Sequence, residues 1–132
     1  MIGLDTNVVI RYLVQDDPKQ AALATKFIER SLSAENPGLV TLICLCEIVW
    51  VLAECYDADR KRIRAVIEGL LATKQIRVES ADLVWKAVRA WDATAADFSD
   101  ALIGEIVRAS DGAKTVTFDR AAARLPTFEL LQ

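Results

Sequence analysis

The sequence predicts an α/β fold with a mainly parallel sheet, and three observations carry that prediction. Short apolar runs recur along the chain at residues 1–5, "LVT", "QIRVE" and "KTVTF". Longer segments with apolar residues at helical spacing separate them, and that alternation is the pattern of βα units. Polar punctuation such as "DTN" and "ENPG" falls between the two kinds of segment. At 132 residues, 53% hydrophobic and 27% charged, the chain is long enough for one substantial core. It shows no internal repeat, low-complexity tract or linker, so the reading is a single domain over 1–132.

Residues 1–5 form the first buried strand, with "DTN" as the turn that follows. "VVIRYLVQ" is a short helix. "DDPKQAALATKFIERSL" is a second helix, with Asp17 as N-cap and Pro18 at its first position. Ala24, Phe27, Ile28 and Leu32 recur on one of its faces. After "ENPG" comes the strand "LVT", then a helix over 42–56 that is apolar nearly all round and therefore expected to be deeply buried. "DADRKRIRAVIEGLLA" is amphipathic, turning Ile63, Val66, Ile67, Leu70 and Leu71 to the core. "QIRVE" is a strand, and "SADLVWKAVRAW" a helix with Leu83, Val84, Ala87, Val88 and Trp91 inward. "DFSDALIGEIVRAS" repeats the pattern with Phe98, Leu102, Ile103, Ile106 and Val107. "KTVTF", the short helix "DRAAARL" and a last strand "FELL" complete the order.

Composition removes several chemistries. The chain has no histidine, which excludes Ser-His-Asp and Cys-His catalysis and the usual zinc sites. A net charge of −3 argues against a general basic coat for nucleic acid. Cys44, Cys46 and Cys55, with no visible secretory signal, point to reduced thiols and a cytoplasmic protein. The longest apolar run, "LVTLICLCEIVWVLA", is interrupted by Glu47 and is short for a membrane span.

Ligands of open parallel sheets sit beyond the carboxyl ends of the strands. Asp5 follows the first strand and Asp119 follows "KTVTF". Asp97 and Asp100 begin one helix three residues apart, on a shared face. Glu47 lies six residues after "LVT", inside an apolar helix with no basic residue in helical reach. All five fall where they can converge in one cleft. Each aspartate also has a plain structural reading as a helix cap, Asp97 and Asp100 as a capping-box pair. Thr6 and Asn7 are themselves cap-formers, which leaves Asp5 without that duty. Clustered carboxylates repel unless a cation joins them, and a site of oxygen donors favours Mg²⁺ or Mn²⁺. Such a site suits phosphodiester hydrolysis by activated water.

Four segments in order, "IGLDTNVVIRYL", "LCEIVWVL", "DFSDALIG" and "TVTFDRAA", resemble PIN-domain ribonucleases, most closely the VapC-type toxins of toxin–antitoxin pairs. The resemblance covers nearly the whole chain. It implies a three-layer α/β/α fold and RNA cleavage leaving a 5′-phosphate. The metal-holding acids it implies fall on Asp5, Glu47, Asp100 and Asp119, with Asp97 an adjacent acid that is either a water-mediated ligand or a cap. Thr6, Asn7 and Thr117 match the polar positions that support them. Homodimerisation, inhibition by a VapB-type antitoxin, and operator DNA binding only through that antitoxin are implied as well. No membrane association is expected.

Arg60, Lys61 and Arg62, followed by Arg64, form the densest basic patch; it reads either as a solvated helix face or as an RNA contact. Arg11 admits RNA, antitoxin or ordinary surface roles. The tryptophans are read as core or interface. Two other functions compete: an Asp-dependent phosphatase, disfavoured because Asn7 breaks its "D-x-D" pattern, and a non-catalytic partner-binding module.

Overall fold

Three short strands lie side by side in a computed structural model that describes residues 1–132: β1 (Ile2–Gly3), β2 (Gly38–Val40) and β3 (Ile76–Val78), in the order β1-β2-β3. All their pairings are parallel, with Ile2 opposite Gly38 and Gly38 opposite Ile76. β4 (Thr115–Thr117) and β5 (Phe128–Leu130) pair in parallel as a second sheet, with Thr115 opposite Phe128. The chain divides into two compact units, Met1–Glu79 and Ser80–Gln132, each holding one of these sheets. Six helices and parallel strands are the elements of the α/β class expected, consistent with a three-layer α/β/α fold.

The first unit carries α1 (Thr6–Leu13), α2 (Pro18–Lys26), α3 (Leu42–Cys55) and α4 (Arg60–Ala72). Side-chain caps start three of them. Asp17 accepts from Gln20 N at 3.0 Å, Thr41 from Cys44 N at 3.1 Å, and Asp59 from Arg62 N at 2.8 Å. Each bond satisfies a first-turn N–H that the helix itself leaves unpaired. Val9, Ile28, Val40, Leu45, Ile48 and Ile67 are buried as this unit's core. β2 enters close to its neighbours: a Cβ on Gly38 would come within 2.6 Å of Leu4 Cδ1, so any larger residue there has to push the Leu4 and Leu32 side chains aside.

The second unit carries α5 (Ala81–Asp92) and α6 (Phe98–Ala109), which pack on one another, with Val84, Ala87, Val88, Trp91, Phe98 and Leu102 buried. Trp91 and Phe98 meet edge to face, their ring centres 5.9 Å apart. That is the geometry in which one ring's positive edge meets the other's negative face.

Several expectations are corrected. Helix α1 begins at Thr6 and ends at Leu13 rather than running from Val8 to Gln15. Asp5 occupies the N-cap position, so Thr6 and Asn7 lie inside the helix and do not cap it. The predicted helix after Pro18 is α-helical only to Lys26 and continues as a wider π turn over Phe27–Ser31. α3 is not buried all round: Ile43, Glu47, Trp50 and Glu54 form an exposed stripe, with Trp50 61% accessible. Those positions recur every three to four residues, and the helix's two charged residues, Glu47 and Glu54, both lie on this outer face. On α6, Ile103 is exposed and Glu105 is buried. The inward row is Phe98, Ala101, Leu102 and Glu105, and the carboxylate is held there by both oxygens, at 2.6 and 2.9 Å from Arg108. Finally, "DRAAARL" forms a single 3₁₀ turn, Ala122–Arg124, rather than a short helix.

Candidate functional site

In the first unit the acids of interest are Asp5 and Glu47, both exposed. Asp5 stands at the N-cap of α1 with the backbone geometry of a cap, yet its carboxylate takes no capping hydrogen bond. It is therefore not spent on the helix. What fixes the start of α1 is the next residue: Thr6 is buried, and its hydroxyl lies 3.3 Å from Cys44 Sγ. The Cys44 thiol also donates to Leu4 O at 3.5 Å, tying β1, α1 and α3 together beside Asp5. Burial pushes the Cys44 thiol up, the Thr6 hydrogen bond works against this, and the negative charges of Asp5 and Glu47 add to the rise. One thiol thus senses both carboxylates, which places them in the same neighbourhood of this unit. The expectation that Asp5 and Glu47 are dry, buried groups does not hold. The first strand is only Ile2–Gly3 and is exposed rather than buried, Asp5 lies two residues beyond it, and Glu47 lies on the outer stripe of α3.

The second unit brings together Asp97, Asp100 and Asp119. Asp97 is the N-cap residue of α6, again without a side-chain capping bond. Asp100, three residues on, receives a hydrogen bond from the Asp97 backbone, which is half of the capping-box pattern. Partial burial raises the Asp100 carboxyl first, and the charges of Asp97 and Asp119 raise it further; the Asp97 backbone bond pulls the other way. Asp119 caps the 3₁₀ turn, one of its oxygens accepting from Ala121 N at 2.8 Å and Ala122 N at 3.3 Å. Thr117 Oγ1 in turn accepts from Asp119 N at 3.0 Å. So the structural reading of Asp119 is realised, while its second oxygen is left over, and Thr117 holds the Asp119 backbone rather than its carboxylate.

The remaining named residues separate. Arg11 is engaged within its own unit: its Nε donates to Gln20 Oε1 at 2.8 Å, and its guanidinium lies 3.6 Å from Asp16 and 3.4 Å from the Tyr56 hydroxyl. Asn7 is exposed and lines a cavity of about 460 Å³ with Ile2, Val8, Arg11, Leu23 and Phe27. Lys61 and Arg62 line a separate hollow of about 570 Å³ with Tyr56 and Asp59. Arg60 starts α4. The strand pattern gave no sign that Phe118 would stand exposed beside Asp119.

No group of three or more His, Cys, Asp or Glu side chains is arranged to hold a metal ion. The chemistry of the donors nevertheless fits a hard divalent cation, since each acid offers carboxylate oxygens and the chain has no histidine. The raised Asp100 carboxyl is the electrostatic strain that such a cation would relieve.

Parallel strands alternating with helices define an α/β protein. The chain belongs to the PIN-domain family, whose sequence profile matches residues 2–127. PIN domains are generally metal-dependent nucleases, so the protein is at the coarse level a nucleic-acid hydrolase. No curated protein matches the chain. No helix is long and apolar enough to cross a membrane.

Proposed function

We propose that the protein is a Mg²⁺- or Mn²⁺-dependent endoribonuclease that acts as the toxin of a type II, VapC-type toxin–antitoxin pair in the cytoplasm. The observation that carries this reading is the uncommitted carboxylate of Asp5: it sits at a helix start and does none of a cap's work. A carboxylate kept out of its local role, in a family of metal-dependent nucleases, is there for an external partner.

In this reading Asp5, Glu47, Asp100 and Asp119 hold the cation, and Asp97 assists from the start of α6. The bound metal would supply an activated water and charge neutralisation at the phosphate. The chain's own residues do the positioning. Ala121 N and Ala122 N pin one oxygen of Asp119, so the other is presented in a fixed direction. Thr117 fixes the backbone beneath it. The Asp97 backbone N–H orients Asp100. Thr6 and Cys44 lock the strand end that delivers Asp5. Hydrolysis adds water across the phosphodiester and leaves a 5′-phosphate and a 3′-hydroxyl.

A VapB-type antitoxin would lay an apolar segment along the 460 Å³ cavity lined by Ile2, Val8, Leu23 and Phe27 in the first unit. The toxin itself would be a homodimer, with operator DNA bound only through the antitoxin. The deciding experiment compares wild-type and Asp5→Asn protein on single-stranded RNA with Mn²⁺ and with EDTA. Cleavage by the wild type that requires metal and falls at least about 100-fold in Asp5→Asn supports the reading. Equal cleavage by the two proteins rejects it.

A further inference from the structure

Helix α3 is tied to the sheet on both sides of its first turn. It follows β2 directly, and Thr41 between them caps it, accepting from Cys44 N at 3.1 Å. That local bond is enough to start a helix. Two further bonds come from the strands that flank β2. On the β1 side the Cys44 thiol donates to Leu4 O at 3.5 Å. On the β3 side the exposed carboxylate of Glu79, the residue after β3, accepts from Leu42 N at 2.8 Å, across 37 positions of sequence. Glu79 is itself held: its backbone N–H donates to Val40 O at 2.9 Å. The next residue, Ser80, takes the left-handed backbone (φ 49°) that residues with side chains rarely adopt.

The register explains how Glu79 reaches α3. Gly3 pairs with Leu39, and Val40 with Val78. Continuing both ladders past the strand ends puts Asp5, Thr41 and Glu79 in one row at the carboxyl edge of the sheet. Neighbours in such a row are about 4.8 Å apart.

We infer that Glu79 is a positioning residue for the cation site: it sets the direction in which α3 leaves the sheet, and so the place of the Glu47 carboxylate relative to Asp5. This inference rests on the nuclease reading above and adds to it a residue that acts through the helix rather than on metal or RNA. A helix attached to β2 at one residue can swing about that residue. Glu47 lies five residues past Leu42, about 7.5 Å along the axis, so a swing of about 8° carries it about 1 Å. Displacement of that size costs a reacting geometry about 100-fold. Bonds to β1 on one side and β3 on the other oppose the swing in both directions. A carboxylate suits the place, because the free N–H groups of a helix's first turn carry partial positive charge.

The test measures Mn²⁺ binding by isothermal titration calorimetry, and RNA cleavage over a range of Mn²⁺, for the full chain and four variants. Glu79→Ala removes the acceptor, and its Mn²⁺ affinity should fall about 10- to 100-fold, as it does when groups that orient metal ligands are lost. Its cleavage should fall at low Mn²⁺ and rise again as Mn²⁺ is raised, with KM for RNA unchanged. Leu42→Pro removes the donor instead and should weaken Mn²⁺ in the same way. Proline is well tolerated at a first helical position, and Thr41 before it is already extended (φ −73°, ψ 162°). Glu79→Gln keeps an acceptor oxygen at the same reach and should bind Mn²⁺ as wild type does. Asp17→Ala removes the cap of α2 and should lower the melting temperature with Mn²⁺ affinity unchanged.

If wild type binds Mn²⁺ and cleaves RNA while Glu79→Ala or Leu42→Pro binds Mn²⁺ as tightly, the positioning role is wrong and the nuclease stands. If Glu79→Gln loses as much affinity as Glu79→Ala, the charge of Glu79 acts rather than its bond to Leu42, and the role is overturned. Equal weakening in Asp17→Ala overturns it too, since loss of stability alone then accounts for the effect. If wild type neither binds Mn²⁺ nor cleaves RNA, the nuclease reading fails and takes the inference with it.

Discussion

Two helical glycines should respond to the same substitution with opposite signs. Gly69 on α4 has open space where a Cβ would go, so Gly69→Ala collects only the helix preference of alanine, about 0.8–1 kcal/mol of added stability. On α6, a Cβ at Gly104 would collide with Thr127 Oγ1, lie 2.8 Å from Thr127 Cβ and 3.0 Å from Phe128 Cε1. Thr127 and Phe128 are buried, and the contact is with the root of the threonine side chain, which cannot swing aside. Overpacking of this kind costs about 1–3 kcal/mol, and the same helix gain offsets part of it. With contacts this deep, Gly104→Ala should lose a net of about 1–2 kcal/mol, placing the two variants about 2–3 kcal/mol apart.

The assay is urea unfolding of each variant followed by circular dichroism, with Gly104→Ala/Thr127→Ala as a third chain. Removing the threonine hydroxyl and methyl should return part of the Gly104→Ala loss, giving a measurable coupling between the sites. Gly104 lies four residues after Asp100, one helical turn along α6, so the shift should also reduce nuclease activity. Misplacement by about 1 Å can cost about 100-fold. A Gly104→Ala protein as stable as wild type, or a double variant no better than the single, would refute the packing argument.

Two further outcomes follow from buried and crowded acids. Arg108→Ala leaves the buried Glu105 carboxylate without the nitrogen that holds both its oxygens, and should cost about 1–3 kcal/mol in urea unfolding; a neutral result would mean Glu105 has another compensation. Asp100→Asn should raise the stability of metal-free protein at neutral pH. Folding raises the Asp100 carboxyl above its unfolded value, so its stabilising contribution is complete below the unfolded value and disappears as pH rises through the raised one. Screening of a group that is mostly solvated limits the gain to a few tenths of a kcal/mol. Metal-free wild type should accordingly gain stability relative to Asp100→Asn on acidification, and a growing deficit instead would contradict the assignment of cause.

The sequence by itself determined the class of fold and the positions of the acids relative to strands and helices. Those features are local: caps such as Asp17 and Asp59 act within three residues, and strand–helix alternation shows in the spacing of apolar side chains. Thr117 accepts a hydrogen bond from the Asp119 backbone N–H, a contact two residues apart and equally local. What tertiary structure decided was which side of each element faces outward and what each carboxylate does. Ile103, expected inward, stands exposed on α6, and Glu105 is buried on the inward row with Arg108 bound to both its oxygens. Trp50 stands exposed on an apolar helix, on the stripe that Glu47 and Glu54 share. Asp119 works as a cap and Asp5 does not, though both follow strands. The difference lies in the backbone: the turn after β4 aims two N–H groups at Asp119, whereas Thr6 and Cys44 secure α1 and leave Asp5 free.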